Sequence, residues 1–215
     1  MTVKSEDLYD GLAEIYSGKF DRLSEAQIRT RTEFVKYVKT ACPHSPRILD
    51  IGCGTGRDMK FFESLGSRAS GIDASGKMLE VATQKGLKSL YFGDFLTYCF
   101  PANGFDGIWC LSMLQDLPTV EKVQAAVRKI AEILRPGGYL FVVTPRFVDQ
   151  PNGSIVVHRS EYGCMEALVN MTARQLKGML VESGFEIIAE RSQCNQRTES
   201  SEAKEYLEFV CMRRD

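Results

Sequence analysis

No two of the seven cysteines, at positions 42, 53, 99, 110, 164, 194 and 211, stand close enough to form a C-x-x-C pair, and the chain has only two histidines. The paired-ligand spacing of a structural zinc site is therefore absent, and no metal is expected. An odd count of cysteines, several inside apolar runs, predicts reduced and buried thiols. Excess charge is lacking as well: 27 Lys and Arg against 28 Asp and Glu leave a net charge of -1. A polyanion would find no electrostatic attraction in such a balance, so no nucleic-acid partner is expected. No apolar run approaches the roughly 20 residues that span a bilayer, and the opening MTVKSEDLYD has no apolar signal core. The expectation is a cytoplasmic protein without membrane contact. Repeats, low-complexity tracts and linkers are also missing. What remains is ordinary globular composition, 44% hydrophobic and 26% charged over 215 residues, enough for one domain that buries roughly 70% of its unfolded surface.

The most informative stretch is RILDIGCGTGRDMKFF, residues 47–62. A short apolar run ends in Asp50, glycines follow at Gly52, Gly54 and Gly56, and helical spacing begins at Asp58. That order reads as strand, tight turn, helix. Glycine permits positive φ and lets a ligand approach the main chain, while the amides opening the helix attract an anion. A dinucleotide fingerprint would place its third glycine at position 57, where this chain has Arg57. With Gly56 one residue early, Asp50 can face the amino group of an amino-acid-like ligand and the helix start its carboxylate. S-adenosylmethionine has such a zwitterion and a nicotinamide cofactor does not. About twenty residues on, a second strand ends in Asp73, a carboxylate placed to accept from both ribose hydroxyls.

DASGKMLEVA at residues 73–82 then resembles the D-x-S-x-x-M-L-x-x-A signature of class I S-adenosylmethionine-dependent methyltransferases acting on small molecules. GDF at 93–95, FPANGFDGIW at 100–109, MLQDLP at 113–118 and LRPGGYLFVVTP at 134–145 follow in that family's order. The resemblance covers residues 48–145. It implies a Rossmann-like α/β fold, with a seven-stranded, mostly parallel sheet in an α/β/α sandwich and an antiparallel last strand. It also implies S-adenosylmethionine as cofactor, with S-adenosylhomocysteine as product. The implied cofactor-binding residues are Asp50, Gly52, Cys53, Gly54, Gly56, Asp73, Ala74, Met78, Asp94, Phe95 and Leu111. Within these, Met78 packs on the adenine or fills a helix core, and Asp94 accepts from the adenine amino group or caps a turn.

Alternating patterns predict strands near 47–53, 68–73, 89–93, 106–112 and 138–144, with helices near 57–65, 76–85 and 119–135. Ahead of them, Leu8, Leu12 and Ile15 make residues 5–20 an amphipathic helix. Ser24 with Gln27 opens another, which runs to about Thr40. In the family resembled, a segment of the form Y-D-x-x-A-x-x-Y covers the cofactor, so Tyr16 is a cofactor contact or a surface residue, and Tyr9 is read as surface packing. After Pro145 the pattern predicts a short strand at 155–159, a helical stretch near 165–169 and a helix over 173–182. Two further strands are predicted at 185–189 and 206–212. The chain is thus one domain over 1–215: an N-terminal helical lid at 1–45, a cofactor core at 46–145, and an acceptor-pocket insertion with the last two strands at 146–215.

Methyl transfer from a sulfonium is an in-line displacement, so alignment and water exclusion matter more than acid-base chemistry. Asp116 stands where many relatives have histidine. It is the candidate base or acceptor-orienting residue, or else the cap of the next helix. Gln115, Arg146, His158 and Tyr162 are candidate acceptor contacts for a small molecule. The [DN]-P-P-[YF] and P-C motifs of base methylation are missing. The expected reaction is methylation of an oxygen or nitrogen of a small acceptor. The rivals are a noncatalytic cofactor-binding or partner-binding protein, and a protein methyltransferase.

Overall fold

The computed structural model describes residues 5–159, 165–195 and 204–215. Two helices lead the chain, α1 (Ser5–Phe20) and α2 (Glu25–Ala41). They are followed by β1 (Arg47–Ile51), α3 (Arg57–Ser64), β2 (Arg68–Asp73), α4 (Gly76–Gln84), β3 (Leu90–Phe92) and β4 (Phe105–Leu111). After a 3₁₀ turn at Leu114–Asp116 come α5 (Val120–Ile133), β5 (Leu134–Phe147), β6 (Ile155–Arg159), β7 (Met165–Val169), α6 (Ala173–Glu182), β8 (Phe185–Asn195) and β9 (Lys204–Arg213). Seven strands form one sheet in the order β3-β2-β1-β4-β5-β9-β8. β9 is antiparallel to both β5 and β8, and the other pairings are parallel. The expected sheet, with its antiparallel last strand, is present.

Strand alternation explains the three layers. Leu49 and Ile51 of β1, Ile108 and Cys110 of β4 and Leu140 and Val142 of β5 face one side, where Val123, Val127 and Ile130 of α5 and Leu176 and Leu180 of α6 cover them. Their neighbours Ile48, Trp109, Phe141 and Val143 face the other side, under Phe34 and Val38 of α2, Phe62 of α3 and Leu79 of α4. A period of two along the strands thus feeds two cores at once. Ser24 forms the full capping box of α2, its hydroxyl accepting from Gln27 N while the Gln27 side chain accepts from Ser24 N. Thr172 and Gln175 repeat the device at α6, as the S-x-x-Q and T-x-x-Q spacing predicts.

Two elements differ from expectation. Residues 165–169 are strand β7, not helix, because they pair antiparallel with β6 from Ile155↔Val169 to Arg159↔Met165. Five residues are too few for a helix without tertiary support, and the partner strand supplies the backbone bonds. The helix expected to run to 135 stops at Ile133, since Leu134 already pairs with Phe105 of β4 before the register shifts. Pro136-Gly137-Gly138 therefore lies inside β5, where a Cβ on Gly138 would come within 3.0 Å of the Asp106 carbonyl oxygen. The insertion after β5 is fastened by the buried Asn170. It accepts from Phe147 N at 2.9 Å and donates to the Phe147, Gln150 and Pro151 carbonyls.

Gly56 shows how tightly the glycine turn is fitted. Its φ is +77°, and a Cβ there would lie 2.0 Å from Leu87 Cδ1 and 3.3 Å from Ala82 Cβ. Both neighbours are buried. Gly56→Val is expected to lower stability by about 2–4 kcal/mol, combining left-handed strain with overpacking. An unchanged urea midpoint would contradict this. Among the described residues no helix is long and apolar enough to cross a membrane.

Candidate functional site

The turn after β1 is built by three left-handed glycines, Gly52, Gly54 and Gly56, with φ of 72°, 53° and 77°. Gly52 N and Cys53 N donate to the Ile72 carbonyl at 2.9 and 3.1 Å, tying the turn to the end of β2. One oxygen of Asp73 accepts from Gly54 N at 2.7 Å and the other from Ser75 N at 2.9 Å. A carboxylate has about four lone-pair directions, so these bonds do not exhaust its capacity to accept from a ligand's hydroxyl. Burial raises the Asp73 pKa against these hydrogen bonds. Met78, buried in α4, forms the wall 3.9 Å from the Cβ position of Gly54. The side chain of Cys53 packs against Gly71, and Ala74 is exposed beside Asp73.

Asp50 is 3% exposed, and among the described residues no hydrogen bond reaches its carboxylate. Burial first, and then the neighbouring Asp58, hold its pKa well above the usual range, while Arg57 and Arg31 oppose them. Asp58 lies behind the turn at the start of α3. It accepts from Arg31 Nε and Nη2, each at 2.8 Å, from Arg57 Nε at 2.7 Å and from the Trp109 indole at 3.0 Å. Burial opposes its ionisation, but the hydrogen bonds of Arg57 and the charge of Arg31 keep its pKa lowered. This cluster was not readable from sequence, because its members come from α2, α3 and β4.

Helix α1 packs against α4, which follows Asp73. Asp10 accepts from Ser75 Oγ at 2.5 Å and from Lys77 N at 3.1 Å, capping the first turn of α4 immediately after Asp73. Tyr9 donates its hydroxyl to Asp116 Oδ2 at 3.3 Å, and Tyr16 meets the Tyr9 ring edge-on at 6.0 Å. Tyr9 is therefore half-buried and bonded to Asp116. Tyrosines 9 and 16 are the Y and Y of the lid pattern and Asp10 is its D, so the signal was present in the pattern itself.

Beyond β4, Ser112 adopts φ +56°, turning the chain so that Leu111 stays partly buried and Asp116 meets Tyr9 of α1. The Gln115 amide is buried, donating to the Ser112 carbonyl and accepting from Thr144 Oγ1 at 3.4 Å. That places Gln115 under the turn, as its support. Asp116 does not cap α5; Thr119 does, accepting from Lys122 N. The Asp116 carboxyl is pushed up to about 8 by burial and by the charge of Glu166 on β7, against the Tyr9 hydrogen bond. Burial, and then Asp116, likewise raises the Tyr9 phenol well above its usual value.

The remaining candidates divide. Asp94 is exposed and accepts from Leu96 N at 2.8 Å, which gives it a turn role and leaves its other oxygen outward. The Phe95 ring is buried in the core under the Lys129 ammonium. Arg146 is paired with Glu205 across β5 and β9 at 3.0 Å. His158 belongs to β6, its backbone opposite Glu166, but its side chain and the whole of Tyr162 lie outside the described residues. No group of three His, Cys, Asp or Glu that could hold a metal occurs among the described residues.

The parts fit a zwitterionic nucleoside. The turn exposes main chain, no donor among the described residues reaches the buried Asp50, and Asp73 can accept further hydrogen bonds. Residues 49–142 match the family model described as a methyltransferase domain. A ubiquinone biosynthesis O-methyltransferase of Xanthomonas oryzae pv. oryzae is 32% identical over 104 residues, 46% of this chain and 42% of that protein. A dTDP-4-amino-2,3,4,6-tetradeoxy-D-glucose N,N-dimethyltransferase of Saccharopolyspora spinosa is 29% identical over 136 residues, 60% of this chain and 54% of that one. The chain thus spans about half the length of these relatives. In fold it is similar to the [4+2]-cyclase SpnF, with TM-score 0.71 at 19% identity over 97% of this chain and 95% of that one.

Proposed function

We propose that this chain, which carries a class I S-adenosylmethionine-dependent methyltransferase domain with S-adenosylmethionine as its cofactor, moves a methyl group to an oxygen or nitrogen of a small molecule. The observation that carries the reading is the glycine turn bonded to Asp73, with Asp50 buried beneath it and no donor among the described residues reaching its carboxylate. In this reading Asp50 receives the cofactor's ammonium, the first-turn amides of α3 its carboxylate, and Asp73 both ribose hydroxyls. Gly52, Gly54 and Gly56 admit the main-chain approach. Met78 and Leu111 wall the nucleoside, with Asp94 and the Phe95 amide at the adenine edge and Cys53 and Ala74 lining the rim. The bound cofactor supplies an electrophilic methyl carbon.

The chain's own residues then position and enclose. Tyr9 and Asp10 hold α1 down at two points, which keeps water from the reacting end and limits the acceptor to a small molecule. Asp116 touches the acceptor and takes its proton where it has one. Gln115, under the Ser112 turn, fixes where Asp116 points. A fold shared with a cyclase does not by itself set the chemistry, so binding must be measured first. Calorimetric titration of the protein with S-adenosylhomocysteine is expected to show one saturable site of about micromolar affinity, near -8 kcal/mol. Absence of binding by folded protein would overturn the reading in favour of a partner-binding role.

A further inference from the structure

We propose that Lys129 of α5 is a positioning residue for cofactor recognition: it fixes the loop after β3 so that Asp94 and the Phe95 N–H read the edge of the adenine. The inference rests on the methyltransferase reading above and assigns the device that sets which base the site accepts.

Residues 93–100 belong to no helix or strand. Such a loop keeps one shape only where its backbone groups find partners. The first partners are local. The Asp94 carbonyl accepts from Thr97 N at 3.1 Å and from Tyr98 N at 3.0 Å, and the Asp94 carboxylate accepts from Leu96 N at 2.8 Å. Three of the four amides that follow Asp94 therefore turn back on it. The fourth is the Phe95 N–H, which no acceptor among the described residues takes.

Lys129 reaches the same loop from 31 and 33 residues further along the chain. Its Nζ donates to the Leu96 carbonyl at 2.9 Å and to the Tyr98 carbonyl at 2.5 Å, and lies 5.3 Å from the centroid of the Phe95 ring. An ammonium has three N–H groups. Two carbonyls and one ring face account for all three, so the charge is committed to residues 95–98. With the Phe95 ring buried in the core, its amide cannot turn without breaking the Lys129 contacts or withdrawing the ring. Asp94 is one peptide away, so the same clamp fixes where its outward oxygen points. The far end of the loop has its own anchor, since the Tyr98 ring meets Phe100 at 4.7 Å and Tyr91 at 5.3 Å. Removing the ammonium should therefore loosen residues 94–97 and leave the fold standing.

The two groups so held have complementary chemistry. A carboxylate oxygen accepts, and the neighbouring amide donates. Adenine offers the matching pair, an amino donor beside a ring-nitrogen acceptor. Hypoxanthine presents an oxygen acceptor beside a ring N–H, which is wrong at both atoms. Discrimination between bases, rather than grip on the ribose or the amino acid, thus depends on Lys129.

The test titrates the full chain calorimetrically with S-adenosylhomocysteine and with S-inosylhomocysteine, which carry adenine and hypoxanthine on the same nucleoside. The native protein is expected to prefer adenine by about 100-fold, from one charge-assisted and one neutral hydrogen bond. Lys129→Met keeps the apolar stem and removes the three donors. It is expected to weaken S-adenosylhomocysteine about tenfold and to leave S-inosylhomocysteine within about twofold, which also reports that the variant is folded. Lys129→Gln keeps a donor for one carbonyl and should show a selective loss of about threefold; it decides the matter if the methionine variant does not fold. A preference unchanged in a folded variant, whether both affinities fall together or neither does, makes Lys129 a structural tie and overturns the inference. Equal affinity of the native protein for the two ligands overturns it as well and leaves the methyltransferase reading standing. Failure of the native protein to bind S-adenosylhomocysteine overturns that reading and this inference with it.

Discussion

Replacing Asp73 with alanine is expected to weaken S-adenosylmethionine binding by about 1,000-fold, from two lost hydrogen bonds to a charged acceptor at about 1.5–3 kcal/mol each. The geometry makes the residue doubly committed. Its two oxygens already accept from Gly54 N and Ser75 N, so the carboxylate both shapes the glycine turn and presents its remaining lone pairs to a ribose. Alanine would leave two amides without their acceptor, at a stability cost of about 1–3 kcal/mol. Stability and affinity must therefore be measured separately, by urea unfolding and by calorimetry. Native-like affinity in a folded variant would remove Asp73 from the site. Affinity should also fail early on acidification. The folded pKa of Asp73 is raised by burial, so its carboxylate is lost at a higher pH than an exposed aspartate's.

How much of this was legible follows from how far apart the interacting residues lie. The strand–turn–helix around Gly52, Gly54 and Gly56, the strand ends at Asp50 and Asp73 and the caps at Ser24 and Thr172 are local patterns. Each rests on residues within a few positions of one another. Residues 165–169 were misread because MEALV suits a helix as well as a strand. Only the register with β6 shows Met165 and Ala167 alternating against Glu166 and Leu168. The sequence also does not show that β9 brings Glu205 opposite Arg146, a candidate acceptor contact. Gln115 looked available until Ser112 and Thr144 enclosed its amide. Tyr9 and Tyr16 were separable only by where α1 docks. Local spacing specifies elements, whereas the chemistry of Asp116 depends on α1 and β7, which flank it from 107 residues before and some 50 after.

The same distance rule hides the residue whose loss should most damage the fold. Asp58→Ala is expected to destabilise the protein by about 3–5 kcal/mol, the cost of breaking a buried ion pair from one side. Asp58 accepts from two guanidinium groups and an indole. Alanine would strand Arg31, which is 3% exposed and sits over the Trp109 ring at 5.1 Å. Trp109 itself stacks on Phe141 at 3.9 Å, so the disturbance reaches the centre of the core under α2. Arg57→Ala should cost much less, because its side chain is more exposed and Arg31 still neutralises the carboxylate. A urea midpoint for Asp58→Ala close to that of Arg57→Ala would refute this ordering. The cluster also bears on the site. Asp58 is the largest charge raising the Asp50 pKa, with Arg57 and Arg31 opposing it. Removing Asp58 frees both arginines to act on Asp50, which lowers its pKa and leaves a cation pair where the cofactor's ammonium must enter. Whatever Asp58→Ala remains folded should therefore bind S-adenosylmethionine more weakly than Arg57→Ala does, although Asp58 makes no contact with the ligand in this reading.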